Sequence, residues 1–115
     1  MALAAATLVI AGTAVRDSVT HFQLHSAAPG AAGTTSPVGT RVANTGAVNG
    51  TTGVITWSNI AFTALTANQG VTHVSYWSAI TGGTFRGSVA LTGDTTANAA
   101  GEYTVTSVTE TPSAT

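Results

Sequence analysis

At 115 residues the chain has room for one domain, and its 43% apolar content is ordinary for a globular protein. Its charge is not ordinary: three arginines, two aspartates, two glutamates and no lysine make 6% charged residues, against about 25% in an average soluble domain, with a net charge of -1. Three scattered arginines exclude the basic patch that nucleic acid or an anionic membrane surface requires, and the absence of cysteine excludes disulfides, thiol chemistry and zinc–cysteine sites.

Surface-to-mass scaling gives a folded area of roughly 5,700 Å² for 11.3 kDa, about one charge per 800 Å². Free soluble domains spread charges of both signs over their surface. The scarcity here predicts a chain whose surface is largely covered by neighbours. The alternative is a Thr/Ser-rich secreted module with a polar, uncharged surface.

The N-terminal "MALAAATLVIAGTAV" is apolar from Ala2 to Ala11 but lacks a basic segment before it, and it is too short to cross a membrane as a helix. The chain begins with Met1, which speaks against a cleaved leader. Thr7 to Val15 reads as a strand, preceded by an Ala-rich arm. A short helix at Leu3 to Leu8 is the competing reading, because Ala and Leu favour one.

Strand signals follow in series. Val19–His25, Gly53–Phe62, Val71–Ile80, Phe85–Thr92 and Tyr103–Thr109 are each rich in β-branched and aromatic residues. Turn residues separate them: Arg16-Asp17-Ser18, a long Pro/Gly loop from Ala27 to Arg41, Ala67 to Gly70, Thr81-Gly82-Gly83 and Gly93-Asp94. The Gly82-Gly83 pair is a hairpin signal. The fold expected is all-β: a single-domain antiparallel β-sandwich or flattened barrel over residues 1–115, with extended arms at 1–6 and 110–115.

Alternation along Val19–His25 points Phe22 and Leu24 one way and His21, Gln23 and His25 the other. The two histidines then lie roughly 13 Å apart along the strand. That is too far for one metal with Zn–N bonds of about 2.1 Å. His73 is the one further histidine that could approach. Hydrogen bonding to backbone or loop is the expected role, and no metal or cofactor is expected. Asp17, Asp94, Glu102 and Glu110 are the chain's acids, and three of them fall in predicted turns or beside strand ends. There is no G-x-S-x-G nucleophile elbow and no Lys after the loop glycines. An enzyme is not expected.

In "VTHVSYWSAITGGTFRGSVAL", Val74, Tyr76 and Ile80 share one face of the predicted strand. Val71, His73, Trp77 and Ala79 share the other. Large groups on both faces predict a central strand, or one whose outer face is covered. Trp77 or Tyr76 is either a core aromatic or the anchor of a subunit contact.

Leu24-His25-Ser26, Pro29-Gly30, Gly33, Gly39 and Arg41, then Trp57, then Val71-Thr72-His73, Trp77, Gly82-Gly83, Phe85, Gly87 and Leu91 form an ordered pattern over about two thirds of the chain. It resembles a family of small virion proteins of actinobacterial tailed phages, labelled tail-fibre or minor structural (minor capsid) proteins. Their pattern is LHTxxPG-xxG-xxx-GG-x-Y-x-R, a Trp in the next strand, then VTHxxxWxxxxGGxFxGxxxL. Ala28 stands where the family has an acid, Ser36 or its neighbours replace a loop acid, and Thr40 replaces the Tyr.

The resemblance implies a non-enzymatic virion structural protein. Its low charge and small size favour a capsid-decoration protein that binds the outer lattice, with the major capsid protein as partner. The alternative is a tail-fibre or minor-tail β domain with tail proteins as partners. A further alternative is a carbohydrate-binding β-sandwich in which exposed Trp57, Tyr76 or Trp77 stacks on sugar. A homo-oligomer, a trimer among the options, is expected, with no nucleic acid and no membrane. The candidate loop and interface residues are His25, Pro29, Gly30, Gly33, Gly39, Arg41, Trp57, His73, Tyr76, Trp77, Phe85 and Arg86. His25 is expected to hydrogen-bond the loop backbone and fix its shape.

Overall fold

The computed structural model describes residues 4–112. One helix, α1 (Ala5–Ser18), precedes seven strands: β1 (His21–His25), β2 (Pro37–Ala43), β3 (Ala47–Val48), β4 (Ile55–Phe62), β5 (His73–Trp77), β6 (Phe85–Ala90) and β7 (Tyr103–Glu110). They form two antiparallel sheets, ordered β2-β1-β5-β6 and β3-β4-β7. The sheets close on one hydrophobic core, so the chain is an all-β sandwich with one helix appended.

The core follows from alternation, which switches parity once in β4, between Trp57 and Ile60, and once in β7, between Val105 and Val108. Phe22 and Leu24 of β1, Val74 and Tyr76 of β5, Trp57, Ile60 and Phe62 of β4, and Tyr103, Val105 and Val108 of β7 all point inward. Phe22 meets Trp57 and Tyr76 edge-on, with ring centroids 5.6 Å apart in both pairs, and Trp57 stacks on Tyr76 at 5.9 Å. Such contacts contribute about 0.5–1.5 kcal/mol each beyond area burial.

The first prediction to fail is the strand at Thr7–Val15, which is helical, as are Ala5 and Ala6 of the expected arm. Ala5, Ala6, Leu8, Ala11 and Ala14 outweigh the β-branched Thr7, Val9, Ile10, Thr13 and Val15. The helix runs well past the Leu3–Leu8 alternative; of that span, Leu3 lies outside the described residues. Arg16 lies in its last turn, where a cation suits the helix dipole, and Ser18 Oγ donates to the Val15 carbonyl. Only Gly12 of the helix is buried, against Gly53 in the turn after β3. A Cβ on Gly12 would overlap the Gly53 carbonyl, and one on Gly53 would overlap the carbonyl of Leu8. The two glycines let backbone touch backbone.

The expected loop from Ala27 to Arg41 is a loop only as far as Ser36; Pro37–Ala43 is an edge strand. Proline is tolerated there at the first position. Between Phe22↔Val42 and Leu24↔Val38 the register shifts, so β2 bulges around Gly39 to Arg41. The Gln23 amide fills the bulge, donating to the carbonyls of Val38 (2.7 Å) and Gly39 (3.0 Å).

The hairpin predicted at Gly82-Gly83 joins β5 to β6, with both glycines at positive φ. Its strand stops at Trp77, however, so Ile80 sits in the turn and is exposed rather than inward-facing. At the other terminus, Glu110 closes β7 instead of opening an arm, and 113–115 lie outside the described residues.

Candidate functional site

The outer face of the four-stranded sheet carries a second, polar layer. Gln23 and His25 of β1 and Ser75 and Trp77 of β5 point away from the core, yet all are buried. What covers them is the loop 26–36, the bulge of β2 and the turn 78–84. The sandwich therefore has a capped outer face that alternation alone would leave in water.

His25 is the centre of this cap. It lies at the end of β1, in register with His73 of β5. Its Nδ1 is 2.7 Å from the Thr35 carbonyl, and its Nε2 is 2.7 Å from Ser75 Oγ. A carbonyl can only accept, so Nδ1 carries the proton and Nε2 accepts from the Ser75 hydroxyl. Trp77 Nε1 donates to the same Ser75 oxygen at 2.7 Å. The hydrogen bonds thus run in one direction, from Trp77 to Ser75 to His25 to Thr35, and each polarises the next. Burial, together with the positive charge of Arg41 and the nearby His73, holds the His25 pKa below the ordinary 6.5; the bond to Thr35 opposes this.

The geometry imitates a serine nucleophile and its base, but Ser75 and His25 are wholly buried beneath the loop, and the hydroxyl has no face open to a substrate. Both ring nitrogens of His25 are occupied within the fold. His73 bonds the neighbouring Thr72 hydroxyl through Nδ1 at 2.8 Å, and His21 bonds Thr20 in the same way. Among the described residues, no three metal-ligating side chains converge.

The loop over this network is shaped by the residues singled out in the sequence. The Pro29 carbonyl accepts from Thr35 N at 3.0 Å, the Gly30 carbonyl accepts from Gly33 N at 3.2 Å, and Ser26 N reaches the Ser36 carbonyl. Gly33, at φ +74°, is pressed on the ring of Phe85, and a Cβ there would overlap that ring. Phe85 in turn packs on Trp77 at 5.5 Å, and the Arg41 guanidinium lies 3.6 Å over the Trp77 ring. Arg41 also donates to the carbonyls of Ala79 (2.9 Å) and Gly82 (2.8 Å), tying β2 to the β5–β6 turn.

Of the candidates, His25, Pro29, Gly30, Gly33, Arg41, Trp77 and Phe85 therefore come together as the cap. Gly39 lies at the bulge beside it, close to Leu65. Trp57 and Tyr76 are on the opposite, inner face, and His73 is at the strand end. Arg86 stands apart, exposed in a bulge of β6. Trp57, Tyr76 and Trp77 are all buried, so none offers an exposed ring for a sugar to stack on. Sequence reasoning missed Ser75 and Gln23. Ser75 sits between His73 and Trp77 on the alternating face, a signal that was present.

A second feature has no counterpart in the sequence reading. On the side of the sandwich where β6 and β7 are the sheet edges, an open groove of about 870 Å³ runs between them. Val89 and Leu91 line one wall, and every residue from Tyr103 to Thr109 lines the other. The segment that follows β6 reaches one end, where the Tyr103 hydroxyl donates to the Asp94 carbonyl at 2.6 Å.

A sandwich whose candidate side chains are spent on its own packing and hydrogen bonds has the character of a structural module. The family model described as "Podophage GP4 fiber I protein gp80" matches residues 4–111. The chain belongs to that family, and it is a phage structural protein of the fibre type. The fibre description favours the tail-fibre alternative over capsid decoration, and the actinobacterial pattern gains no support from it. No curated protein and no solved structure matches the chain. Among the described residues, no helix is long and apolar enough to cross a membrane.

Proposed function

We propose that this chain is a β module of the phage tail fibre, present in several copies and held among tail proteins. The observation that carries the reading is the family match over residues 4–111. The surface supports it: seven charges are spread over 5988 Å². The helix α1 leaves Ile10 69% and Val15 42% exposed. An apolar helix on a nearly uncharged body suits a protein that works with its surface covered by neighbours. The capped outer face of the four-stranded sheet gives each copy a rigid shape without a bound ligand.

The test is labelling of intact virions with gold-tagged antibody to this chain, viewed by electron microscopy. Label on the tail fibres is the expected result. Label over the capsid shell would overturn it in favour of decoration.

A further inference from the structure

We infer that the open side of the sandwich, bounded by the edges of β6 and β7, is where a second copy of this chain docks, with β6 of one copy laid along β7 of the next. The inference rests on the multi-copy reading above and deepens it by naming the surface and its orientation.

The first ground is the backbone. β7 is eight residues long and among the described residues pairs only with β4, so its other edge offers a row of N–H and C=O groups that no described strand pairs. Natural edges are protected by Lys, Pro, charge or a cover. From Tyr103 to Thr109 the strand has none of those residues. The outer edge of β6 is likewise unpaired; Arg86 and the bulge guard its start, and Gly87–Ala90 carry no such protection. Two uncovered edges flanking one groove are the geometry of strand addition, in which main-chain hydrogen bonds hold an added strand.

The second ground is charge. The groove is rimmed by Asp94 and Glu102, and Glu110 ends β7. Asp94 and Glu102 bond only neutral groups, the Thr96 amide and the Asn98 side chain. Of the arginines, Arg16 is paired with Asp17 and Arg41 is engaged with the β5–β6 turn. Arg86 is the exposed cation that remains among the described residues. It lies near the start of β6, on the other edge strand but beyond the stretch that lines the groove, where an acid of a neighbouring copy can meet it.

Charge also decides the orientation. Antiparallel pairing of β7 with a second β7 centred on Thr106 would set Glu102 of each copy opposite Glu110 of the other. Like charges directly opposed destabilise a strand pair. Pairing β6 with β7 brings Arg86 to the acids instead. A contact through one such seam is head-to-tail and propagates to a ring or a filament, whereas two open sides that face each other form both seams at once, as a two-fold dimer. A sugar is a poorer occupant, because both aromatic residues of the groove wall, Phe62 and Tyr103, are buried, and the Tyr103 hydroxyl is already bonded.

The experiment uses the purified full chain in sedimentation velocity, with circular dichroism as the control for folding. Wild type should associate. Arg86→Glu and Glu102→Arg should each raise the dissociation constant by about 10- to 100-fold, since each sets like charges together. The double swap, carrying both changes, should restore association. Because the chain lacks cysteine, a second measurement is clean. Chains with Ser88→Cys on β6 are mixed with chains with Thr106→Cys on β7 and oxidised, and the mixed disulfide should exceed the β7–β7 product. A monomeric wild type, single variants that associate normally, dominant β7–β7 cross-links, or a monomer that binds glycan in the groove would each overturn the inference. Virion labelling is unaffected by these results, so failure here is distinct from failure of the fibre reading.

Discussion

The Tyr76 hydroxyl donates to Glu110 Oε2 at 2.6 Å, joining the interior strand of one sheet to the last residue of an edge strand in the other. Tyr76 is also stacked on Trp57 and edge-on to Phe22, so the bond hangs from the centre of the core. Burial, then the bond and charge of Glu110, push the phenol far above its usual range, so it stays a donor at any pH the fold meets.

Tyr76→Phe keeps the ring and removes the donor. A hydrogen bond to a charged group is worth about 1.5–3 kcal/mol net. The variant should lose about that much stability, read from the urea midpoint. Glu110→Gln, which keeps an acceptor, should lose less. Equal losses for both would mean that the charge of Glu110, not the bond, fastens the sheets.

His25 gives the fold a pH dependence with a definite sign. Its folded pKa lies below 6.5, so under acid conditions the unfolded chain binds a proton that the folded chain resists. The contribution is fully present above about pH 6.5 and is lost as pH falls through the folded pKa. Protonation also puts a hydrogen on Nε2, which then faces the Ser75 hydroxyl as donor against donor. The urea midpoint of wild type should drop between pH 7.5 and pH 5. His25→Gln, which can still donate to Thr35 and accept from Ser75, should flatten that part of the profile. An unchanged slope would place the acid sensitivity elsewhere.

Gly12→Ala should reverse the usual rule. In an exposed helix interior this change stabilises by about 1 kcal/mol. Here the added methyl meets the Gly53 backbone, and the strain of such overpacking is typically about 1–3 kcal/mol. A net loss, measured by thermal denaturation, is expected. A stabilised variant would show that the helix can shift on the turn without penalty.

Thr104 and Thr106 are exposed on the outer face of β7. Changing both to Lys should alter the stability of the isolated chain by about 0.5 kcal/mol or less per site. In a particle where that face is covered, each unpaired ammonium costs several kcal/mol. The variant should fold normally and fail to enter virions, as measured by its abundance in purified particles. Normal incorporation would mean that this face is open to solvent in the fibre.

Most of the sandwich was legible because period-2 alternation survives in β1 and β5 and within each half of β4 and β7, whose inward parity switches between Trp57 and Ile60 and between Val105 and Val108. The inward residues Phe22, Leu24, Val74, Tyr76 and Val105 follow from it. α1 was misread because it lacks an amphipathic stripe: its apolar residues run around the helix, and only Gly12 is buried. β2 was hidden by Pro37 and Gly39, which read as loop punctuation but here start an edge strand and mark its bulge. The role of His25 was within reach, since a histidine at a strand end beside a Pro/Gly loop has backbone to bond. The β6–β7 groove was not, because strand order is a long-range property that no local pattern encodes.

The Gly12–Gly53 contact fixes where α1 sits but gives it little side-chain burial to resist opening. Its backbone amides should therefore exchange with deuterium through small local openings, far sooner than those of β1, β4 and β5, which wait for global unfolding. In the isolated chain the helix should open ahead of the sandwich it lies on. Its lasting order would come from whatever packs on Ile10 and Val15 in the assembled particle.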